Sequence, residues 1–344
     1  MKKILVTGGT GYIGSHTVVE LFEAGYTPII IDNLSNSNIG VLNQIKKITG
    51  IKPEFHKLDL CDEKDVKEFV NKNLDIEGVI HFAASKAVGE SVEKPLKYYH
   101  NNLFSLINLL KAFSARKTNF VFSSSCTVYG QPDELPVTEK AEVKKAESPY
   151  GNTKQIAEEI LQETANSNPN FNILSLRYFN PVGAHKSALI GELPLGVPQN
   201  LVPFITQTAI GKREKITVYG DDYNTADGSA IRDYIHVVDL AKAHVAALQF
   251  LNENTIDNHY DVFNIGTGKG YSVLEVIRAF EKATNVKLNY EIGHRRNGDI
   301  EQVWGDIAKS TQKLGWTANL GVEEMMRSAW AWEVYLRDEN PFEL

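Results

Sequence analysis

Three side chains, Ser125, Tyr150 and Lys154, are of the types that move a proton to or from an alcohol. In Tyr150-Gly151-Asn152-Thr153-Lys154 the phenol and the amine stand at i and i+4, on one face of a helix. A tyrosine near pKa 10 is a weak base at neutral pH, and an ammonium beside it favours the phenolate. A phenolate in hydrogen-bond reach of a secondary alcohol takes its proton while hydride leaves to a nicotinamide. Ser125 closes the run Ser123-Ser124-Ser125 and can hold the same oxygen. With 14 tyrosines in the chain, a Tyr-Lys pair at this spacing arises readily by chance. Its weight comes from the serines and from a second motif.

That motif is Gly8-Gly9-Thr10-Gly11-Tyr12-Ile13-Gly14, which directly follows a strand-like run and opens a helical pattern. Backbone N–H groups and a helix N-terminus then face a pyrophosphate. Gly8 and Gly11 let the backbone turn and approach the phosphates, and Gly14 lets the helix pack on the sheet. Asp32 ends the second apolar run, where a carboxylate accepts both ribose hydroxyls of an adenosine. Asn33-Leu34-Ser35-Asn36-Ser37 brings no cation for a 2′-phosphate, which favours NAD over NADP. Asp59 ends the third run, within reach of an adenine or as a helix cap; Asp62 is better placed for the cap.

Short apolar runs at Lys3–Thr7, Pro28–Asp32, Glu54–Leu58, Gly78–Ala83, Asn119–Ser123 and Asn172–Tyr178 alternate with helical patterns such as Ile13–Ala24 and Asp62–Asn71. The alternation predicts an α/β fold, a Rossmann-type doubly wound parallel sheet, with ligands beyond the carboxyl ends of its strands. After about Asn180 proline and glycine become frequent. A second mixed set follows: helices near Asn200–Ile210 and Val238–Phe250, a strand at Ile216–Tyr219, and a capping box at Ser272 and Glu275. The expected division is a nucleotide-binding domain at 1–179 and a smaller mixed α/β substrate domain at 180–344, some of whose segments return to the first lobe.

The 344 residues are 42% hydrophobic and 23% charged, with a formal net charge of −7, which argues against bulk nucleic-acid or anionic-membrane binding. Two cysteines, Cys61 and Cys126, form no framework, and nine histidines show no metal-ligand spacing, so no metal is expected. No apolar stretch approaches membrane-spanning length. The expected location is the cytoplasm.

Taken together, the residues resemble the extended short-chain dehydrogenase/reductase family over almost the whole chain. The matching segments are TGGTGYIGSH (7–16), IDNL (31–34), VIHFAASKAVGESVEKPLKYYHNN (79–102), FSSSCTVYG (122–130), SPYGNTK (148–154), LRYFNPVGAH (176–185), PQNLVPFI (198–205), VYGDDYNTADGSAIRDYIHVVDLA (218–241) and RRNGDIEQVW (295–304). The resemblance implies that Tyr150 is the catalytic base, that Lys154 binds the nicotinamide ribose, and that Ser125 contacts the sugar hydroxyl being oxidised. It implies an NAD site formed by the glycine loop with Tyr12, Ile13, Asp32, Asn33, Leu34, Asn36, Ser37, Asp59, Leu60, Phe82, Ala83, Ala84, Lys86, Asn101, Ser123 and Phe179. It implies a UDP-hexose held by Asn180, Asn200, Leu201, Tyr219, Arg232, Arg296 and Asp299. Guanidinium groups match diphosphate oxygens well; for Arg232 the alternative is a surface salt bridge to the adjacent Asp233.

The implied reaction is reversible inversion at carbon 4 of a UDP-hexose through a 4-keto sugar, with NAD regenerated each turn and a homodimer as the working assembly. Cys126 and Thr127 stand where related nucleotide-sugar 4,6-dehydratases carry an Asp-Glu acid pair, which counts against elimination of water. Val303 stands where relatives confined to non-acetylated sugars often carry tyrosine. The smaller side chain implies room for an N-acetyl group; a buried strand residue with no role in specificity is the alternative. Competing readings are another short-chain enzyme on UDP-sugars, an NAD-sensing regulator without turnover, and an adaptor protein.

Overall fold

The structure, a computed structural model, describes residues 1–254, 256, 259–296 and 300–342. In the first half, β1 (Lys3–Thr7), β2 (Thr27–Asp32), β3 (Glu54–Lys57), β4 (Ile76–His81), β5 (Thr118–Ser125) and β6 (Phe171–Tyr178) form between helices. Those helices are α1 (Tyr12–Glu23), α2 (Val41–Thr49), α3 (Glu63–Lys72), α4 (Val88–Glu93), α5 (Pro95–Phe113) and α6 (Pro149–Ser167). The second half contains β7 (Asn180–Val182), α7 (Leu201–Ala209), β8 (Ile216–Tyr219), β9 (Ile231–His236), α8 (Val237–Glu253) and β10 (Tyr260–Ile265). It ends with β11 (Gly270–Ser272), α9 (Val273–Thr284), β12 (Tyr290–Gly293), β13 (Gln302–Val303), α10 (Ala308–Leu314) and α11 (Val322–Glu339).

The main sheet has seven strands in the order β10-β6-β5-β4-β1-β2-β3, every pair parallel. Parallel strands need helical crossovers, so both faces are covered and the strands are apolar on both sides. On one face Val6, Ile30, Val121 and Leu174 pack with α1 and α8 residues such as Val18 and Leu248. On the other, Leu5, Ile29, Phe120 and Phe122 pack with α5 and α6 residues such as Leu109 and Leu161. The strand order reverses between β1 and β4, which opens a crevice at their carboxyl ends. The doubly wound sheet expected from the apolar runs is therefore the fold observed.

Two strands, β4 and β5, end two residues away from the apolar runs, while β2, β3 and β6 differ by one residue at one end. The chain leaves the sheet at His81, and the Ala83 N–H donates to the Thr7 hydroxyl at 3.3 Å beneath Gly8. β5 continues to Ser125 because Ser124 and Ser125 stay in register with Arg177 and Tyr178. The helix after Asp59 is capped by Asp62, whose carboxylate accepts the Asp65 N–H at 3.1 Å. At α9 the Ser272–Glu275 capping box is formed in both directions.

In the second half, β9 is the centre of a small sheet, paired with β11, β13 and β7. β8 and β12 pair separately, in parallel. α8 packs against α1, and β10 adds the edge strand beside β6, so the chain after residue 180 contributes to both sheets. Among the described residues no helix is long and apolar enough to cross a membrane.

A buried ion pair ties α6 to the main sheet. Ser124 and Arg177 stand opposite each other on β5 and β6, and both reach Glu158 of α6. Arg177 donates from Nε at 3.0 Å and from Nη2 at 2.5 Å, with both partners nearly inaccessible. Removing one member of such a pair strands the other charge, at a cost of about 3–5 kcal/mol.

Candidate active site

Tyr150 and Lys154 lie in the first turns of α6, whose start is fixed locally. Ser148 accepts the Gly151 N–H at 3.1 Å and Pro149 occupies the first helical position. Both side chains are then turned to the sheet, Tyr150 8% exposed and Lys154 4%. Lys154 Nζ donates to the Ser123 carbonyl at 2.6 Å and lies 5.9 Å from the Tyr150 ring centre. Ser125 ends β5 and caps a 3₁₀ turn over Cys126–Tyr129, accepting the Thr127 N–H at 3.3 Å. The Ser123 and Tyr178 hydroxyls bond each other at 2.6 Å.

Burial dominates the electrostatics of this cluster. It pushes the Tyr150 phenol well above the ordinary 10, Tyr178 adds to the rise, and the Ser125 hydroxyl opposes it. The lowering expected from Lys154 does not set the direction, because the phenol has left water and the ammonium is directed at a backbone carbonyl. Burial also pulls Lys154 down to about 8, opposed by the Glu158 carboxylate.

The glycine loop sits over the strand ends of β1 and β4. Gly8 has φ +68°, and a Cβ there would lie 2.9 Å from the Ala83 nitrogen. A Cβ at Gly14 would collide with the Gly8 carbonyl. Gly11 caps α1 without a side chain, so the first amides, of Tyr12 and Ile13, are not covered. Beside the loop runs a groove whose lining includes Gly8, Asp32, Asn33, Asn36, Asp59, Leu60, Ala83, Ala84 and Asn101. Asp32 accepts the Leu34 N–H at 2.8 Å and the Ser37 hydroxyl at 3.0 Å. Asn33 donates to Asp59 at 3.3 Å. A cradle with no room for side chains, open helix amides and a groove ending in two aspartates fit a dinucleotide.

Other expected residues stand outside that groove. The Tyr12 hydroxyl donates to the Gly183 carbonyl at 2.6 Å, and Ile13 packs on the core. Phe82 lies tilted against His244 with ring centres 4.6 Å apart, and Lys86 pairs with Glu192 at 3.0 Å. Phe179 is buried against Gly266 and Gly305.

On the substrate side, Asn180 lies on β7 beside Tyr234, while Asn200 and Leu201 open α7. Arg232 donates to the carbonyls of Ile231 at 2.8 Å and Glu301 at 3.4 Å. It does not pair with Asp233, because successive strand residues point to opposite faces. Asp233 instead accepts the Thr267 N–H at 2.9 Å and the Gly268 N–H at 3.1 Å, and burial raises it to about 6. Arg296 stacks over Tyr219 at 4.6 Å. Asp299 lies outside the described residues. Val303, 4% exposed, is in register with Arg232 and packs with Val128, Tyr129, Val137 and Phe179, at a margin that includes Cys126.

Several polar residues that hold the site were missed from sequence. Glu158 continues the Tyr150–Lys154 helix face at i+8 and i+4, a signal the spacing contained. Asn102 joins the loop after β4 to α6, donating to the Ser85 carbonyl and the Thr153 hydroxyl, each at 3.1 Å. Nothing local marks it.

A glycine loop at the switch point of a parallel sheet, with Ser, Tyr and Lys beyond the next strand, defines a short-chain dehydrogenase/reductase. The family described as GDP-mannose 4,6 dehydratase matches residues 5–329. A UDP-glucose 4-epimerase of Haemophilus influenzae is 50% identical over 331 residues, 96% of this chain and 97% of the relative. The structure of a UDP-glucose-4-epimerase from Stenotrophomonas maltophila, with bound NAD and formylated UDP-arabinopyranose, matches with a TM-score of 0.94 at 45% identity. It covers 98% of this chain and 100% of that one. A UDP-Glc/GlcNAc 4-epimerase from Campylobacter jejuni matches with a TM-score of 0.83 at 36% identity, covering 97% of this chain and 99% of that one. The chain belongs to the UDP-glucose 4-epimerase family.

The buried lysine has a pH signature. Its pKa falls from an ordinary 10.5 to about 8 on folding, so between these values the unfolded chain binds more protons and stability rises with pH. Below pH 8 the full desolvation penalty is present. In urea unfolding, the stability of Lys154→Met relative to the unmodified protein is expected to fall as pH rises from 8 to 10.5. A difference independent of pH would show that Lys154 is not held in this environment.

Proposed function

We propose that the protein interconverts UDP-glucose and UDP-galactose by inverting carbon 4, with NAD retained throughout. The observation that carries this reading is the buried Ser125, Tyr150 and Lys154 cluster beside a groove fitted to a dinucleotide. Bound NAD supplies the acceptor and donor of the carbon 4 hydride. Asp32 takes the adenosine ribose hydroxyls, with no cation in 33–38 to receive a 2′-phosphate. The open amides after Gly11 take the pyrophosphate. Residues 1–179 supply most of this site, and 180–344 supply the hold on UDP.

Tyr150 takes the 4-hydroxyl proton and returns it, while Ser125 holds the oxygen in place. Lys154, on the same helix face, supplies the positive charge that offsets the cost of a buried phenolate. Inversion requires the keto sugar to present its other face. UDP must therefore stay gripped, by Arg232 and Arg296 among others, while the hexose pocket remains permissive. Cys126, pushed up to about 12 by burial, and Thr127 provide no acid pair for dehydration.

The size of Val303 supports a second substrate class, UDP-N-acetylhexosamines. The name of the Campylobacter jejuni relative includes GlcNAc, which favours the same reading. We also read the working assembly as a homodimer; Val92 on α4 and Leu96 and Phe104 on α5 are exposed apolar side chains that a second copy would cover. A monomer in sedimentation at micromolar concentration would contradict it.

In an assay of UDP-galactose conversion without added cofactor, Tyr150→Phe is expected to lose about a hundredfold to ten-thousandfold in kcat while retaining NAD. Turnover close to the unmodified rate would remove Tyr150 from the mechanism. Val303→Tyr is expected to suppress conversion of UDP-N-acetylgalactosamine and spare UDP-galactose, since a clash excludes a substrate more strongly than spare room admits one. Equal loss on both sugars, or no N-acetylated activity before substitution, counts against Val303 as the gate.

A further inference from the structure

One half-buried carboxylate between the two ligand sides has no part in the chemistry above. Glu192 lies between β7 and α7, its side chain 10% exposed. Its Oε1 accepts Lys86 Nζ at 3.0 Å and Asn200 Nδ2 at 2.7 Å. Lys86 follows β4 and lies 5.9 Å from the Tyr12 ring centre, at the first turn of α1. Asn200 opens α7 but caps none of its amides, its side chain being turned to Glu192. The main chain of Glu192 is fixed separately, since its carbonyl accepts the Trp332 indole N–H at 2.8 Å. At Gly191 a Cβ would press into the same ring. A single carboxylate oxygen on an anchored segment thus joins the glycine-loop side to the start of α7.

We infer that Glu192 couples the two ligand sites, holding Lys86 and Asn200 as one hydrogen-bonded unit so that ordering either orders the other. The inference rests on the reading above that gives Lys86 to NAD and Asn200 to UDP. Bonds to an ionised carboxylate are the stronger kind, so the unit stays together when one end is engaged. The first ligand bears the ordering cost of the shared segment and the second binds with less to lose. Such coupling is reciprocal: UDP must raise the affinity for NAD by the same factor by which NAD raises the affinity for UDP. A residue that only pinned the loop would alter stability without linking the ligands.

The test uses purified, NAD-loaded protein and UDP as the probe. NAD affinity is measured by equilibrium dialysis with and without UDP. Calorimetry gives UDP affinity in NAD-loaded and NAD-depleted protein. In the unmodified protein each ligand is expected to favour the other by at least about fivefold. Glu192→Ala, which keeps the carbonyl bonded to Trp332, is expected to bring both factors near unity. It should also raise KM for UDP-galactose by more than it lowers kcat. Glu192→Gln keeps an acceptor for both donors but loses the charge, and is expected to retain an intermediate factor. Full coupling in either variant, or none in the unmodified protein, overturns the inference; should the alanine variant not fold, the glutamine variant decides. Absence of NAD and of UDP binding in the unmodified protein would instead overturn the functional reading.

Discussion

Lys154 is held out of water with its ammonium 2.6 Å from the Ser123 carbonyl, and that contact constrains everything around it. An amine in such a place must be aimed within fractions of an ångström, or its burial costs more than the fold can offset. The aim comes from α6, whose start is set by Ser148 and Pro149 and whose phase on the sheet is set by Glu158 bonding Arg177 and Ser124. The same helix carries Tyr150, so the clamp that places the amine also places the phenol. Ser125 follows Ser124 on the strand that the clamp grips.

The sheet beneath is what makes these contacts rigid. Parallel strands paired in register from β10 to β3 bring Gly8, Asp32, Ala83 and Ser125 to one edge, although they are far apart along the chain. The second lobe is built differently, from short strands around β9, and is steadied by Asp233 collecting the amides of Thr267 and Gly268. A large parallel sheet under the cofactor groove and a separate small sheet carrying Arg232 suit a reaction in which NAD and UDP stay bound while the sugar turns.

The parts of the site that were legible in the sequence are those set by local geometry. A glycine whose Cβ would strike a neighbouring backbone, an aspartate ending a buried run and a Tyr-Lys pair one helical turn apart each carry their reason in nearby residues. Asp62 was likewise readable as a cap. Contacts set by register were not. Ser124 meets Arg177 only because β5 and β6 pair as they do, and Glu192 meets Lys86 across 106 positions. The direction of the Tyr150 shift was also missed, because the charge beside a phenol is visible in spacing whereas the loss of water around it is not.

Inversion through a transient ketone makes a demand on the carbon 4 hydrogen that can be read directly. It must leave as hydride and return to the same carbon, with no exchange into solvent. The most direct measurement is turnover of UDP-galactose carrying deuterium at carbon 4, in ordinary water, with the UDP-glucose formed analysed by mass spectrometry. Retention of the deuterium at carbon 4 is expected, without release of reduced cofactor. Product carrying protium from solvent at that carbon would contradict hydride return within the buried Ser125, Tyr150 and Lys154 site.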